Sequence, residues 1–140
     1  MNWGHIPIRA EPPAPCSVGN VAAILNEIAA LLEKFAAVGE TGLIDLKSLP
    51  FSPAEYEQLR FALGRGEVSA RLDAIGNSEI VETHFPGVWW VTHYNVEGDI
   101  VADLIEIASV PGILQSQPED VRAGLARLHE LISLPVSSDE

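Results

Sequence analysis

The spacing of apolar residues changes twice along this chain, and that change limits the fold more than any other feature. Val21, Ile24, Leu25, Ile28, Leu32 and Phe35 recur at three- and four-residue steps, which lines one face of a helix. From Glu67 onward the period drops to two, with Val68, Ala70 and Leu72 on one side, as in a strand covered on one face. Helical spacing returns in Val121, Leu125, Leu128 and Ile132. Helices and strands are thus segregated rather than alternating. The expected class is α+β: a two-layer sandwich whose antiparallel meander sheet, of about four to five strands, carries helices on one face.

Punctuating residues sharpen the elements. Pro7, Pro12, Pro13 and Pro15 make residues 1–17 an extended arm, because proline lacks the N–H and the freedom that a helix interior needs. Trp3, Ile6 and Ile8 suit that arm to an apolar groove, its own or a neighbour's. A helix is expected over residues 18–38, capped by Ser17 or Asn20 and stopped by Gly39. Leu43 to Leu46 reads as a short strand. Ser52-Pro53-Ala54-Glu55 opens a second helix as a capping box with proline at the first position, and Gly64 ends it. Strands are expected over 67–72, 79–84, 88–94 and 99–107. Between them lie a turn at 73–78, a bend at Pro86-Gly87 and a hairpin loop at 95–98 with Gly98 at positive φ. Pro118-Glu119-Asp120 opens a last helix, with Val121, Leu125, Leu128 and Ile132 as its buried face. Residues 18–133 form a single domain, followed by a polar tail at 134–140.

Charge narrows the partners. Against 8 Lys and Arg stand 20 Asp and Glu, a formal net charge of −12 on 140 residues. Such a surface repels phosphate, so nucleic acid and anionic membrane are not expected partners, and a basic segment is the favoured kind. Hydrophobic residues make up 47% of the chain, enough for a core. The one cysteine, Cys16, permits no internal disulfide and fits a reducing compartment. The N-terminus lacks the basic start and apolar run of a signal peptide. A soluble, cytoplasmic protein is expected.

No constellation of catalytic residues stands out. Cys16 has only the start of a helix beside it to lower its pKa. His5, His84, His93, His129 and Cys16 show none of the tight spacings of zinc ligands, although His84 and His93 fall on adjacent strands. Glu79, Glu82, Asp103 and Glu106 fall on strands, where a facing pair would perturb its own titration. Gly64-Arg65-Gly66-Glu67 leaves a helix and enters a strand, the reverse of a dinucleotide loop. The expectation is no catalytic residue, no metal and no cofactor; the alternative is a metal-binding or carboxylate-dependent enzyme domain.

The aromatic strand is the stronger signal. Phe85, Trp89, Trp90 and Tyr94 lie within ten residues, and alternation sends Trp89 and Trp90 to opposite faces. One face meets the helices. The other is expected to present an exposed tryptophan for a partner or for a second copy in a homodimer. Phe85, Gly87, Trp89, Trp90 and Tyr94 are therefore the expected contact residues.

Three stretches then read together: Gly64-Arg65-Gly66-Glu67-Val68-Ser69-Ala70, Phe85-Pro86-Gly87-Val88-Trp89-Trp90-Val91, and Ile105-Glu106-Ile107 with Val110-Pro111. In this order they resemble the conserved C-terminal region of the HupH/HyaF-type hydrogenase expression proteins, over roughly residues 40–132. Gly64, Gly66, Glu67 and Pro86 carry the motif. The chain departs from the family pattern at Trp90, where a basic residue tends to follow the motif tryptophan, and typical members are longer. The resemblance implies a non-enzymatic role in expression or maturation of [NiFe] hydrogenase. Its implied partner is the iron–sulfur small subunit or another accessory protein.

Overall fold

A computed structural model describes residues 15–135; of the side chains at 15–18 nothing is described. Trp3, His5, Ile6 and Ile8, the side chains of Cys16 and Ser17, and the tail beyond residue 135 lie outside it. The elements run α1 (Pro15–Val38), β1 (Gly42–Asp45), α2 (Pro53–Leu63), β2 (Ser69–Ala74), β3 (Gly76–Glu82), β4 (Val88–Tyr94), β5 (Ile100–Ile107) and α3 (Pro118–Ser133), with 3-10 turns at Leu46–Ser48 and Gly112–Leu114. The five strands pair antiparallel in the order β1-β5-β4-β3-β2. This is the expected α+β meander, with β1 added beside β5.

α1 begins at Pro15, ahead of the expected start, because proline is tolerated where first-turn N–H groups have no partner anyway. Asn20 is therefore inside the helix rather than its cap. Its side chain instead donates to Glu55 Oε2 at 2.6 Å. Glu55 also closes the capping box of α2, accepting from Ser52 N–H at 2.7 Å while its own N–H reaches Ser52 Oγ at 3.1 Å. The Ser52 N–H above all holds this carboxyl below its ordinary range. One buried carboxylate thus caps one helix and ties it to another.

α1 and α2 cover one face of the sheet. Val21, Ile24, Ile28, Leu59 and Leu63 pack on Ile44, Val88, Trp90, Ile105 and Ile107. The opposite face holds a smaller cluster of Ile80, Trp89 and Val91, with Ala70, Leu104 and Leu114 against it. Two expectations fail here. Val68 and Leu72 do not turn inward: they stay 48% and 36% exposed, because the register sets them with Ala70 and Ile80 on the face away from the helices, at the edge of its small cluster. Val121, Leu125, Leu128 and Ile132 are not a buried face. No residue of α3 is buried, and these four are 51–70% exposed.

Candidate functional site

The stretch 64–70 is pressed against residues 82–84, the end of β3 that leads into the stretch 85–91. Gly64, at φ +65°, ends α2 with its N–H on the Arg60 carbonyl. The His84 N–H then bonds the Leu63 carbonyl at 2.8 Å. Gly66 donates to the Glu82 carbonyl at 2.7 Å, so close that a Cβ there would stand 2.5 Å from the Thr83 oxygen. The Glu67 N–H reaches the Glu82 carboxylate at 3.3 Å. Glycine at 66 is thus required by close approach of two backbones rather than by a phosphate.

The second stretch is a tight turn. Val88 N–H bonds the Phe85 carbonyl at 3.0 Å, with Pro86 and Gly87 (φ +95°) at its centre, the arrangement that proline then glycine favours. The Thr83 hydroxyl, almost fully buried, accepts from the Phe85 N–H at 3.1 Å and donates to the Val88 carbonyl at 2.9 Å. The turn holds Phe85 half exposed at the mouth of an apolar groove of about 370 Å³ lined by Leu25, Ile28, Leu32, Leu63 and Val88.

Neither tryptophan is exposed. Trp89 is 5% and Trp90 4% accessible. The expectation of an exposed indole on the second face fails because Ala108 to Leu114 folds back over it. Trp89 Nε1 donates to the Ala108 carbonyl at 3.0 Å, Pro111 is buried, and Leu114 packs on the cluster around Trp89. On the helical face, Trp90 Nε1 donates to Asp103 Oδ1 at 2.7 Å, and the Thr92 hydroxyl donates to the same oxygen at 2.8 Å. Tyr56 meets the Trp90 ring edge-on at 5.4 Å, and the Arg60 guanidinium lies 4.3 Å over it, a cation–π contact. Burial raises the Asp103 carboxyl to about 7, against the nearby Lys47 charge that lowers it. Both donors fall on Oδ1, so Oδ2 is free to carry the proton.

α1 and α2 do not cover the whole helical face. Over β2, β3 and β4 it is an open cleft, with a cavity of about 320 Å³ lined by Arg60, Arg65, Glu79, Trp90, Thr92 and Tyr94. A neighbouring depression adds Arg71 and Ser69. Three of the eight basic residues of a strongly acidic chain converge here, Arg71 paired with Asp73 at 3.1 Å and Glu79 lying among them. Tyr94 donates to Glu79 Oε1 at 3.3 Å, and its hydroxyl is pushed above the ordinary range by burial and by that carboxylate. Of the expected contact residues, Tyr94 and the edge of Trp90 thus line the cleft, Phe85 borders the separate groove, Gly87 shapes the turn, and Trp89 is interior.

The other chemical candidates disperse. β3 pairs Ser78 with His93, whose Nδ1 is 2.7 Å from the Ser78 hydroxyl. His84 stands six residues further along, about 20 Å at strand rise, so the two histidines do not meet. Glu79 and Asp103 both flank Thr92, and Glu82 and Glu106 both flank Trp89, two strands apart in each case, about 9–10 Å. Each carboxylate serves a different donor, Glu106 accepting from the Gly112 N–H at 3.0 Å. Among the described residues no three His, Cys, Asp or Glu side chains converge as metal ligands. No helix among them is long and apolar enough to cross a membrane.

The sequence matches the family described as HupH hydrogenase expression protein, C-terminal conserved region, over residues 18–134. It is 30% identical over 119 residues to the hydrogenase expression/formation protein HupH of Rhizobium leguminosarum bv. viciae, covering 85% of this chain and 42% of that protein. Identity to HupH of Rhodobacter capsulatus is 32% over 125 residues, 88% of this chain and 44% of the other. The chain therefore spans less than half the length of the curated relatives it matches. A solved structure, hydrogenase expression protein HupH from Thiobacillus denitrificans, aligns with a TM-score of 0.79 at 43% identity, covering 82% of this chain and 96% of that one.

Proposed function

Because the chain belongs to the HupH hydrogenase expression protein family, we propose that it is a non-enzymatic accessory factor for [NiFe] hydrogenase maturation. Its partner in this reading is a hydrogenase subunit, first the iron–sulfur small subunit, or another maturation protein. The relatives bear the name expression/formation protein, which describes assistance rather than a reaction. A cytoplasmic setting belongs to the same proposal and agrees with the lone cysteine.

The observation that carries the reading is the use made of the motifs. Gly64, Gly66 and Glu67 join α2 to the end of β3, and Pro86 shapes the turn that follows, between two separate surface features. One is the cleft of Arg60, Arg65, Arg71, Tyr94 and the Trp90 edge. The other is the apolar groove beneath Phe85 and Gly87. Aromatic and arginine side chains over an apolar base are the composition of protein-binding hot spots. Arg60 and Arg65 favour an acidic or carboxylate-bearing segment of the partner. Trp89 contributes from within, by holding β4 in place.

The test is co-expression of the tagged chain with the small-subunit precursor, followed by capture. Capture is expected with the unaltered chain and is expected to fall roughly tenfold or more with Arg65→Glu or Tyr94→Ala, while circular dichroism stays unchanged. If no hydrogenase component is captured, and a deletion strain keeps normal hydrogenase activity, the reading fails.

A further inference from the structure

β2 ends the sheet on one side, and its outer edge pairs with no other strand among the described residues. One bond fixes which of its backbone groups face outward. The Glu82 N–H donates to the Val68 carbonyl at 2.9 Å. By the alternation of an antiparallel ladder, Ala70, Leu72 and Ala74 then bond β3, while Ser69, Arg71 and Asp73 turn their N–H and C=O groups to the open edge. The strand is six residues long, holds no proline or glycine, and is exposed along almost all of its length. Such an edge is a template for a further strand.

The charges on β2 match the strand to itself. A second copy turned about an axis normal to the sheet must set outward-facing residues opposite outward-facing residues. That admits registers centred on Ala70, Arg71, Leu72 or Asp73. Centring on Arg71 or Asp73 sets that charge opposite itself, and centring on Ala70 sets Glu67 opposite Asp73, which like charges disfavour. Centring on Leu72 sets Arg71 opposite Asp73 and Asp73 opposite Arg71, and it engages the whole strand. Within one copy Arg71 Nε already lies 3.1 Å from Asp73 Oδ1, in an exposed pair; across the axis the two pairs become one row of alternating charge. On the other face Leu72 meets its own copy, flanked by the small Ala70 and Ala74. The N-terminal arm fits this edge less well, since Pro7, Pro12, Pro13 and Pro15 have no N–H to give a ladder.

We propose that two copies of the chain pair antiparallel along β2, about a two-fold axis at Leu72, joining the two five-stranded sheets into one. About four backbone hydrogen bonds then form between Arg71 and Asp73 of the two copies. One strand pair is a small interface, so the dimer is reversible and forms as concentration rises. The helices of both copies lie on the same side, and the two Arg60–Tyr94 clefts open beside the seam. This pairing is independent of what the clefts bind.

Analytical ultracentrifugation of the full chain from about 1 to about 300 micromolar is expected to show a reversible dimer. Arg71→Asp alone and Asp73→Arg alone should each weaken it roughly tenfold or more, because like charges then face each other. Mixing these two variants should restore a dimer, since each charge again meets its opposite, and so should both exchanges in one chain. The near-ultraviolet signal of the buried tryptophans should persist throughout. In a Cys16→Ser background, Leu72→Cys should cross-link to its own copy on mild oxidation. Ala74→Cys, about 14 Å from its copy in this register, should not. The cysteine pair decides the matter where a charge exchange disturbs the fold. A monomer throughout the range overturns the proposal. So does a dimer indifferent to the single exchanges, or a mixture that stays monomeric. Leu72→Cys cross-linking no faster than Ala74→Cys also overturns it, and would mean that another segment or a client strand takes the edge.

Discussion

Gly66 shows how much one missing methyl group can hold together. Gly66→Ala would force its new carbon against the Thr83 carbonyl, a backbone atom that cannot yield without opening the junction between the 64–70 stretch and the end of β3. A loss of about 1–3 kcal/mol is expected, as for other overpacked sites, measurable as a lower denaturant midpoint. Asp103 makes a prediction in pH. Its carboxyl sits at about 7 when folded and near the ordinary aspartate value of about 4 when unfolded. The folded state therefore binds this proton more tightly than the unfolded one. The stability it confers is complete below about pH 4 and is lost as pH rises through about 7. The loss is on the order of 2 kcal/mol once solvent screening is allowed for. Asp103→Asn keeps an acceptor for Trp90 and Thr92 and should flatten that decline between pH 5 and pH 8 in denaturation curves. A variant as pH-dependent as the parent would show that another group is responsible.

Elements differ in how far they depend on the core, and paired substitutions expose it. Leu59 on α2 is fully buried, while Leu128 on α3 is 51% exposed. Leu59→Ala is expected to cost about 2–5 kcal/mol, whereas Leu128→Ala in dilute solution should cost well under half of that, by thermal unfolding. This contrast also marks what the sequence made legible. The existence and order of every helix and strand were readable, because period, capping box and turn residues are local signals that tertiary packing here reinforces. The expected turn at 73–78 is instead strand on both sides of Ile75, since pairing of Asp73 with Asn77 and Ala74 with Gly76 overrides its turn-like composition. The burial of α3 was misread, since periodicity reports which side of a helix is apolar and not whether anything covers it. The tryptophans were misread for a related reason: the cover of the second face comes from Ala108 to Leu114, whose loop-like sequence carries no period. The cleft was the least legible. Arg60, Arg65 and Arg71 come from a helix end, a loop and an edge strand, and only the sheet register brings them together.

At the scale of the whole molecule, the two tryptophans report on two different clusters separated by a single layer of backbone. If the described fold melts as one unit, Trp89→Phe and Trp90→Phe must show fluorescence transitions coincident with far-ultraviolet dichroism. Separate midpoints would divide the two faces into independent units. The strand order has a consequence for a chain made from its N-terminus. β1 pairs only with β5, Gly42 opposite Ile107, whereas β2, β3, β4 and β5 each follow the neighbour before them. While a ribosome is still adding residues, β1 waits with both edges open, and α1 has only part of its final platform. The meander of β2 to β4 is the portion that closes early, because its contacts are local and its loops short. The last strand out of the tunnel is therefore the one that inserts between old neighbours, completes the sheet and seals the helices onto it.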